Sequence, residues 1–163
     1  MPVTHLRIDN RLIHGQVSVA WIGYLGADHL IVVNDEVAKD EIQRVLLPQA
    51  ARGVRTSVLS VADALEHCLS AAADSEQIMI IAKFASDALA LVEGGLQPAE
   101  INVGNQAPRP GTTFTRVTRS ISVTAEEAGT YRAIEAKGFR LGSRMMPQDR
   151  DTAFARLLDK KKL

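Results

Sequence analysis

Short apolar runs rich in valine and isoleucine alternate along the chain with longer segments in which apolar residues recur every three or four positions. The short runs have the length of β-strands, and the longer segments have the period of amphipathic helices. The second and fourth runs show little alternation of apolar and polar positions, which is typical of strands covered on both faces. The pattern therefore predicts an α/β fold with an open, mainly parallel sheet and helices on both faces. The predicted strands are residues 3–8, 29–34, 54–60, 77–82 and 100–104.

The last third of the chain has a different pattern. A turn-rich segment with two prolines leads into residues 114–123, where apolar and polar positions alternate, which predicts a hairpin-like, antiparallel strand. Thr124 and Glu127 have the spacing of a capping box at the start of a helix, and Gly138 is suited to that helix's C-cap. A further strand is predicted within residues 139–146, before a final charged helix. No repeat or linker interrupts the pattern, so residues 1–163 are expected to form one domain.

Composition excludes several classes of function. The 19 Lys and Arg residues balance the 19 Asp and Glu residues, and aromatic residues make up only 4% of the chain. Neither the basic surface nor the stacking platforms of a nucleic-acid-binding protein are indicated. Cys68 is the single cysteine, so no internal disulfide can form, as is usual in a reducing compartment. Without a signal-peptide pattern or an apolar run long enough for a membrane span, we expect a soluble cytoplasmic protein.

The candidate chemistry lies between the first strand and the first helix. Asp9, Arg11 and His14 follow the first strand, at the edge where parallel α/β sheets bind ligands. A helix beginning near Gly15 or Gln16 would direct free backbone N–H groups and its positive dipole end toward this loop, which favours an anion such as phosphate. Arg11 adds a forked cation suited to phosphate oxygens. The same positive features favour neutral, nucleophilic His14, and Asp9 could accept a hydrogen bond from its ring.

These residues predict a phosphoryl-accepting histidine, but their spacing alone leaves a second interpretation open. Asp9 and Arg11 could form an exposed ion pair of little energetic value, with His14 an ordinary loop residue.

The remaining histidines and the cysteine have positions typical of structural residues. His5 and His29 fall within predicted strands, whereas His67 and Cys68 fall within a predicted apolar helix. No histidine and carboxylate spacing indicates a metal site, and Trp21 is expected to pack in the core.

The segment RIDNRLIHGQV, residues 7–17, resembles the phosphorylation loop of the IIB subunits of the mannose, fructose and sorbose branch of the bacterial phosphoenolpyruvate-dependent sugar phosphotransferase system. Residues 32–51, 101–127 and 137–149 are similar to other segments of that family, so the resemblance extends over essentially the whole chain. It implies a cytoplasmic subunit with a central sheet of about seven mostly parallel strands.

The resemblance also implies a role for each residue of the loop. His14 would be phosphorylated through its ring, at Nδ1, Arg11 would stabilise the phosphate, and Asp9 would orient the histidine. Neither a metal nor a cofactor is needed for this transfer. Two positions depart from the family pattern: Asn10 replaces the commoner Asp, and Asn105 replaces a Gly, which narrows the backbone freedom at residue 105. The phosphate loop would also include Asn10, Gly15 and Gln16.

The partners follow from the same resemblance. A phosphorylated IIA protein or domain would donate to His14, and a IIC/IID permease at the inner face of the membrane would pass the phosphate to its sugar. The sugar would meet the chain only through the permease, and a homodimer is compatible with this role. The sequence leaves open a regulatory module that reports phosphorylation without transport. A flavodoxin-like binding domain is less favoured, because no glycine-rich nucleotide fingerprint is present.

Overall fold

The computed structural model describes residues 3–163, which form nine strands and seven α-helices. The strands are β1 (Val3–Asp9), β2 (His29–Val33), β3 (Arg55–Leu59), β4 (Ile78–Ala82), β5 (Ile101–Asn105), β6 (Thr115–Arg116), β7 (Ser122–Val123), β8 (Leu141–Ser143) and β9 (Thr152–Ala153). The helices are α1 (Gly15–Leu25), α2 (Asp35–Lys39), α3 (Glu41–Ala50), α4 (Val61–Cys68), α5 (Ala85–Glu93), α6 (Ala125–Ala136) and α7 (Phe154–Lys160), with a short 3-10 helix at Ala71–Ala73.

The central sheet has seven strands in the order β3-β2-β4-β1-β5-β8-β9. All neighbouring pairs are parallel except β8 and β9, which are antiparallel. This confirms the predicted α/β sheet and the first five strands. Strand β1 lies between β4 and β5, so the loop that follows it opens at the middle of the carboxyl edge, where two neighbouring strands also end.

The segment at residues 114–123 does not supply a strand of the central sheet. It folds back on itself, and β6 and β7 pair as a separate antiparallel ribbon. The turn is closed by backbone hydrogen bonds from Val117 and Thr118 to the carbonyl of Ile121, at 2.8 and 3.1 Å. The single strand predicted over residues 114–123 is therefore not formed, because the segment turns back on itself and its antiparallel pairing is internal. The seventh strand of the central sheet is the two-residue β9.

Helices cover both faces of the sheet, as predicted. Helices α1, α2 and α3 pack on one face around Trp21, Leu30 and Met79, while α4 to α7 pack on the other face around Leu6 and Tyr131. The two cores are separate clusters of buried side chains, one on each side of the strands. Within residues 3–163, no helix is long and apolar enough to cross a membrane.

Side chains fix several helix ends. Thr124 and Glu127 form the predicted capping box, with reciprocal hydrogen bonds of 3.1 Å. Lys137, not Gly138, is the C-cap of this helix, and Gly138 follows it with a φ of +96°. Two helices, α2 and α3, lie between β2 and β3, with Asp40 at the junction. The Asp40 side chain accepts hydrogen bonds from the first-turn N–H groups of α3.

Candidate functional site

The loop between the first strand and the first helix, which carries the candidate chemistry, is anchored by two buried apolar side chains. Strand β1 ends at Asp9 and helix α1 begins at Gly15, as predicted. Between them, Leu12 and Ile13 turn their side chains into the core beneath α1. Leu12 has a φ of +63°, and its N–H donates to the carbonyl of Asp9 at 3.1 Å. The apolar pair thus holds the flanking polar residues at the sheet edge, and this explains why charged and apolar positions are mixed in so short a loop.

His14 is the N-cap of α1 and has extended backbone angles. Its N–H donates to Oγ of Ser18 at 3.0 Å, and its side chain is about a quarter exposed. Ring atom Nδ1 lies 2.9 Å from the carbonyl of Leu12. Since a carbonyl oxygen only accepts, Nδ1 carries the proton in this conformation and Nε2 holds the lone pair of a neutral ring. The histidine is thus accessible and placed at the positive end of an eleven-residue helix.

Asp9 is a buried carboxylate that contacts several neighbouring groups. Oδ2 lies 3.2 Å from Nε of Arg7, while Oδ1 accepts the backbone N–H of Arg11 at 3.0 Å. Nε2 of His14 lies 3.9 Å from Oδ2, which is longer than a hydrogen bond. The expected hydrogen bond between Asp9 and the His14 ring is therefore not formed here, because Arg7 and Arg11 engage the carboxylate oxygens.

Arg7 is a residue of the site that local sequence reasoning missed. It lies inside β1, fully buried, and burial lowers the pKa of its guanidinium while the adjacent Asp9 opposes that effect. It also donates to the carbonyl of Arg144 at 3.3 Å and to Sδ of Met145 at 3.5 Å. Gly104 makes room for it, because a β-carbon there would overlap the guanidinium. An arginine at a buried position of the first strand was the available signal.

Arg11 is the exposed cation of the loop. Its Nε lies 3.5 Å from Oδ1 of Asp9, and its side chain is 39% exposed. In one orientation of its amide, Asn105 donates from Nδ2 to Oδ1 of Asn10 at 3.2 Å. In the other, its oxygen accepts from Nε of Arg11 at 3.1 Å and its nitrogen donates to the carbonyl of Ser120 at 3.2 Å. Asn105 is not among the described residues with positive φ, so the departure from glycine costs no backbone strain. The asparagine places its amide beside the guanidinium of Arg11.

Asn10 has a structural partner. Its Nδ2 donates to the carbonyl of Ala107 at 2.9 Å, and its Oδ1 accepts the N–H of Ala107 at 3.0 Å. An aspartate could not donate the first of these bonds. Asn10, in place of the commoner Asp, therefore joins the β1–α1 loop to the segment after β5.

Gly15 and Gln16 begin α1 and are exposed. Gly15 has a φ of +44°, a conformation that favours glycine, although a β-carbon there would meet no other atom. The first turn of the helix leaves its backbone N–H groups without partners inside the helix, so these groups are available to an anion in front of His14.

The other residues discussed from the sequence lie in the interior. Trp21 is fully buried, stacks on His5 at 4.5 Å between ring centroids, and donates its Nε1–H to the carbonyl of Met145 at 2.9 Å. Cys68 is buried in the core on the other face, and burial raises the pKa of its thiol to about 11. A thiol of that kind is a poor nucleophile.

The residues around His14 offer no metal site. Within the part of the chain that the structure describes, the one group of three histidine or acidic side chains able to share an ion is His29, His67 and Glu76. These residues lie at the amino edge of the sheet, opposite the edge occupied by His14.

Comparison with known proteins agrees with this geometry. The pattern of the family described as "PTS system sorbose subfamily IIB component" matches residues 3–163. The sorbose-specific EIIB component of Klebsiella pneumoniae is 33% identical over 150 residues, which cover 91% of this chain and 90% of that protein. The N-acetylgalactosamine-specific phosphotransferase enzyme IIB component 2 of Escherichia coli strain K12 is 35% identical over 133 residues, covering 81% and 83%.

A solved structure is also similar over nearly the full length of both chains. The crystal structure of the IIBSor domain of the sorbose permease from Klebsiella pneumoniae superimposes with a TM-score of 0.92 at 31% identity, covering 98% of each chain. The chain therefore belongs to the sorbose subfamily of IIB components of the sugar phosphotransferase system, and it is a phosphotransfer module.

Proposed function

We propose that His14 is the residue that carries the phosphoryl group. A phosphohistidine of a IIA protein would donate the group, and a IIC/IID membrane complex would receive it and transfer it to the transported sugar. The observation that carries this proposal is the position of a partly exposed histidine at the N-terminus of α1, beside Arg11 and above the buried Asp9. Such a helix end binds phosphate without a metal.

The position of Asp9 favours Nδ1 as the phosphorylated atom. Asp9 lies on the Nε2 side of the ring, with 3.9 Å between Nε2 and Oδ2. A phosphoryl group on Nε2 would bring a dianion against a buried carboxylate, which is unfavourable. A phosphoryl group on Nδ1 would leave Nε2–H facing Asp9, and the carboxylate would then balance the positive charge of the phosphorylated ring. Asp9 is thus proposed as the residue that orients and stabilises the phosphohistidine.

Phosphorylation at Nδ1 requires the His14 ring to change its tautomer before transfer. Nδ1 now donates to the carbonyl of Leu12, so it must release that carbonyl and the proton must move to Nε2 through exchange with solvent. The lone pair of Nδ1 then attacks phosphorus in line, while the bond from phosphorus to the donor nitrogen breaks and its electron pair returns to the donor ring. Arg11 and the first N–H groups of α1 would stabilise the equatorial oxygens. Gly15 and Gln16 would contribute these groups.

We assign sugar specificity to the membrane partner and not to this chain. The relatives reported above are named for sorbose and for N-acetylgalactosamine, and they match the same domain with similar identity. The shared loop chemistry handles only the phosphoryl group. We therefore propose that the chain acts at the cytoplasmic side of a IIC/IID permease and does not itself select the sugar.

The experiment that tests this function is phosphorylation in a reconstituted system. The full chain is incubated with phosphoenolpyruvate and the upstream phosphotransferase components, and acid-labile phosphate is mapped by peptide analysis. Phosphate on His14, and its loss in His14→Gln, is the expected result. The control variant Cys68→Ala should accept phosphate like the parent. Phosphate that persists on His14→Gln would contradict the assignment.

A further inference from the structure

Three side chains from separate segments of the chain converge at the amino edge of the sheet. His29 begins β2, His67 lies in the last turn of α4, and Glu76 precedes β4. Oε2 of Glu76 lies 2.9 Å from Nδ1 of His29 and 2.8 Å from Nε2 of His67. The three candidate donor atoms all lie within 4.8 Å of one another. The phosphoryl-transfer chemistry proposed for the opposite edge uses none of them.

Two neighbouring side chains, Ser57 and Arg55, hydrogen-bond two of these groups. Nε2 of His29 lies 2.8 Å from Oγ of Ser57, and Arg55 donates to Oε1 of Glu76 at 2.7 Å. Metal-bound histidines commonly donate their other ring N–H to an oxygen, and metal-bound carboxylates are themselves hydrogen-bonded. The outer partners therefore occupy the second nitrogen of His29 and the second oxygen of Glu76, while Nδ1 of His29 and Nε2 of His67 both contact Oε2 of Glu76.

We propose that His29, His67 and Glu76 bind a zinc-type divalent cation through Nδ1, Nε2 and Oε2. Two imidazoles and one carboxylate form a donor set that zinc prefers. Donor atoms about 2.05 Å from a tetrahedral ion lie about 3.3 Å apart. The two nitrogens now lie 2.9 and 2.8 Å from Oε2, and all three donor atoms lie within 4.8 Å of one another, so shifts of about one ångström or less would give this spacing. The ion replaces the protons now shared with Oε2, and His29 then donates Nε2–H to Ser57.

Burial and charge are compatible with an ion at this point. The His29 side chain is only 2% exposed, whereas the side chains of Glu76 and His67 are 13% and 23% exposed, which gives an ion a route from solvent. Arg55, the neighbouring cation, is 61% exposed, so solvent screens its charge. A bound ion would join the start of β2, the end of α4 and the approach to β4. Because it would bind only the folded chain, it would stabilise the fold.

The test measures zinc binding to the full chain without a histidine tag, by competition with a chromophoric chelator. We expect one zinc ion per chain and an affinity at least tenfold lower in His67→Gln. His67 is partly exposed, so this variant should fold, which unfolding without zinc will check. Glu66→Gln is the matched control: it removes an exposed acid from the same helix, next to the cluster, and should bind zinc like the parent.

Two further measurements localise the ion. Zinc should shift the ring signals of His29 and His67 in nuclear magnetic resonance spectra and leave that of His14 in place. Ser57→Ala, which removes the outer partner of His29, should weaken binding by about 10- to 100-fold. Absence of stoichiometric binding by the parent, or equal binding by the parent and His67→Gln, would overturn the proposal. So would ring shifts confined to His14.

Discussion

The guanidinium of Arg7 occupies the space that a side chain at Gly104 would need. Arg7 lies on β1 and Gly104 on the neighbouring β5, and both are buried. The arginine cannot move aside freely, because its nitrogens contact Asp9, the carbonyl of Arg144 and the sulfur of Met145. A glycine is therefore required where the two strands pass beneath the loop between β1 and α1.

Gly104→Ala is expected to destabilise the protein by overpacking. A methyl group there would displace the buried guanidinium, and overpacking of this kind costs about 1–3 kcal/mol. The measurement is the free energy of unfolding in urea. Gly129→Ala is the control, since a β-carbon at this exposed position within α6 meets no atom. It should stabilise the protein by roughly 0.5–1 kcal/mol. Equal stability of the parent and Gly104→Ala would show that Arg7 is free to move.

A double-mutant cycle will test the pairing of Arg7 with Asp9. Both side chains are about 1% exposed, and 3.2 Å separates Nε from Oδ2. Arg7→Met and Asp9→Asn should each cost about 3–5 kcal/mol, because each leaves a buried charge without its partner. The double variant should lose far less than the sum of the two single losses. Urea unfolding of all four proteins gives the coupling, and additive losses would argue against a shared buried pair.

His5 is expected to make stability depend on pH. Burial is the main cause that lowers the pKa of His5 below 6.5, with Arg7 and Arg144 acting in the same direction and Glu100, 3.3 Å away, opposing them. Between its pKa in the folded chain and 6.5, the unfolded chain binds this proton more readily. The contribution of neutral His5 is therefore complete above pH 6.5 and is lost as the pH falls below it.

The check is the free energy of unfolding from about pH 7.5 to about pH 5.5 for the parent and His5→Gln. The parent should lose stability more steeply toward low pH, by at most about 1.4 kcal/mol per pH unit for one proton. Identical slopes for the two proteins would show that His5 is protonated as easily in the folded chain as in the unfolded one.

Sequence pattern predicted the parts of the molecule that are local. The strands β1 to β5, the start of α1 at Gly15 and the capping box at Thr124 all depend on neighbouring residues, and all are confirmed. His14 and Arg11 could be placed at the sheet edge for the same reason, because one short loop carries both.

Contacts between distant residues were not predictable in this way. The space that Gly104 gives to Arg7 depends on the register of β1 against β5, which no single segment specifies. His29, His67 and Glu76 come together through three separate elements, so their spacing resembles no short metal-binding motif. The seventh strand, β9, has only two residues, too few to show any periodicity.

Arg11→Lys is expected to slow phosphoryl acceptance without altering the fold. Lysine keeps the positive charge but lacks the planar fork that contacts two phosphate oxygens. The Arg11 side chain is 39% exposed, so its replacement should leave the core intact. The measurement is the rate of phosphate transfer from the phosphorylated IIA protein, with unfolding curves as the control for the fold. Unchanged rates would show that Arg11 does not make a two-oxygen contact in the transition state.

The phosphorylated protein should carry phosphate on Nδ1 of His14 and a proton on Nε2. In the unphosphorylated conformation the proton is instead on Nδ1, because Nδ1 donates to the carbonyl of Leu12 at 2.9 Å. We expect the charge of Asp9, 3.9 Å from Nε2, to select between the two nitrogens, because it repels phosphate and attracts a proton. Nitrogen-15 spectra of histidine-labelled protein, recorded before and after phosphorylation, distinguish the two ring nitrogens directly. Asp9→Asn should shorten the lifetime of the phosphohistidine, since it removes the charge that balances the ring. A phosphorus coupling to Nε2 instead of Nδ1 would show that Asp9 does not direct the reaction.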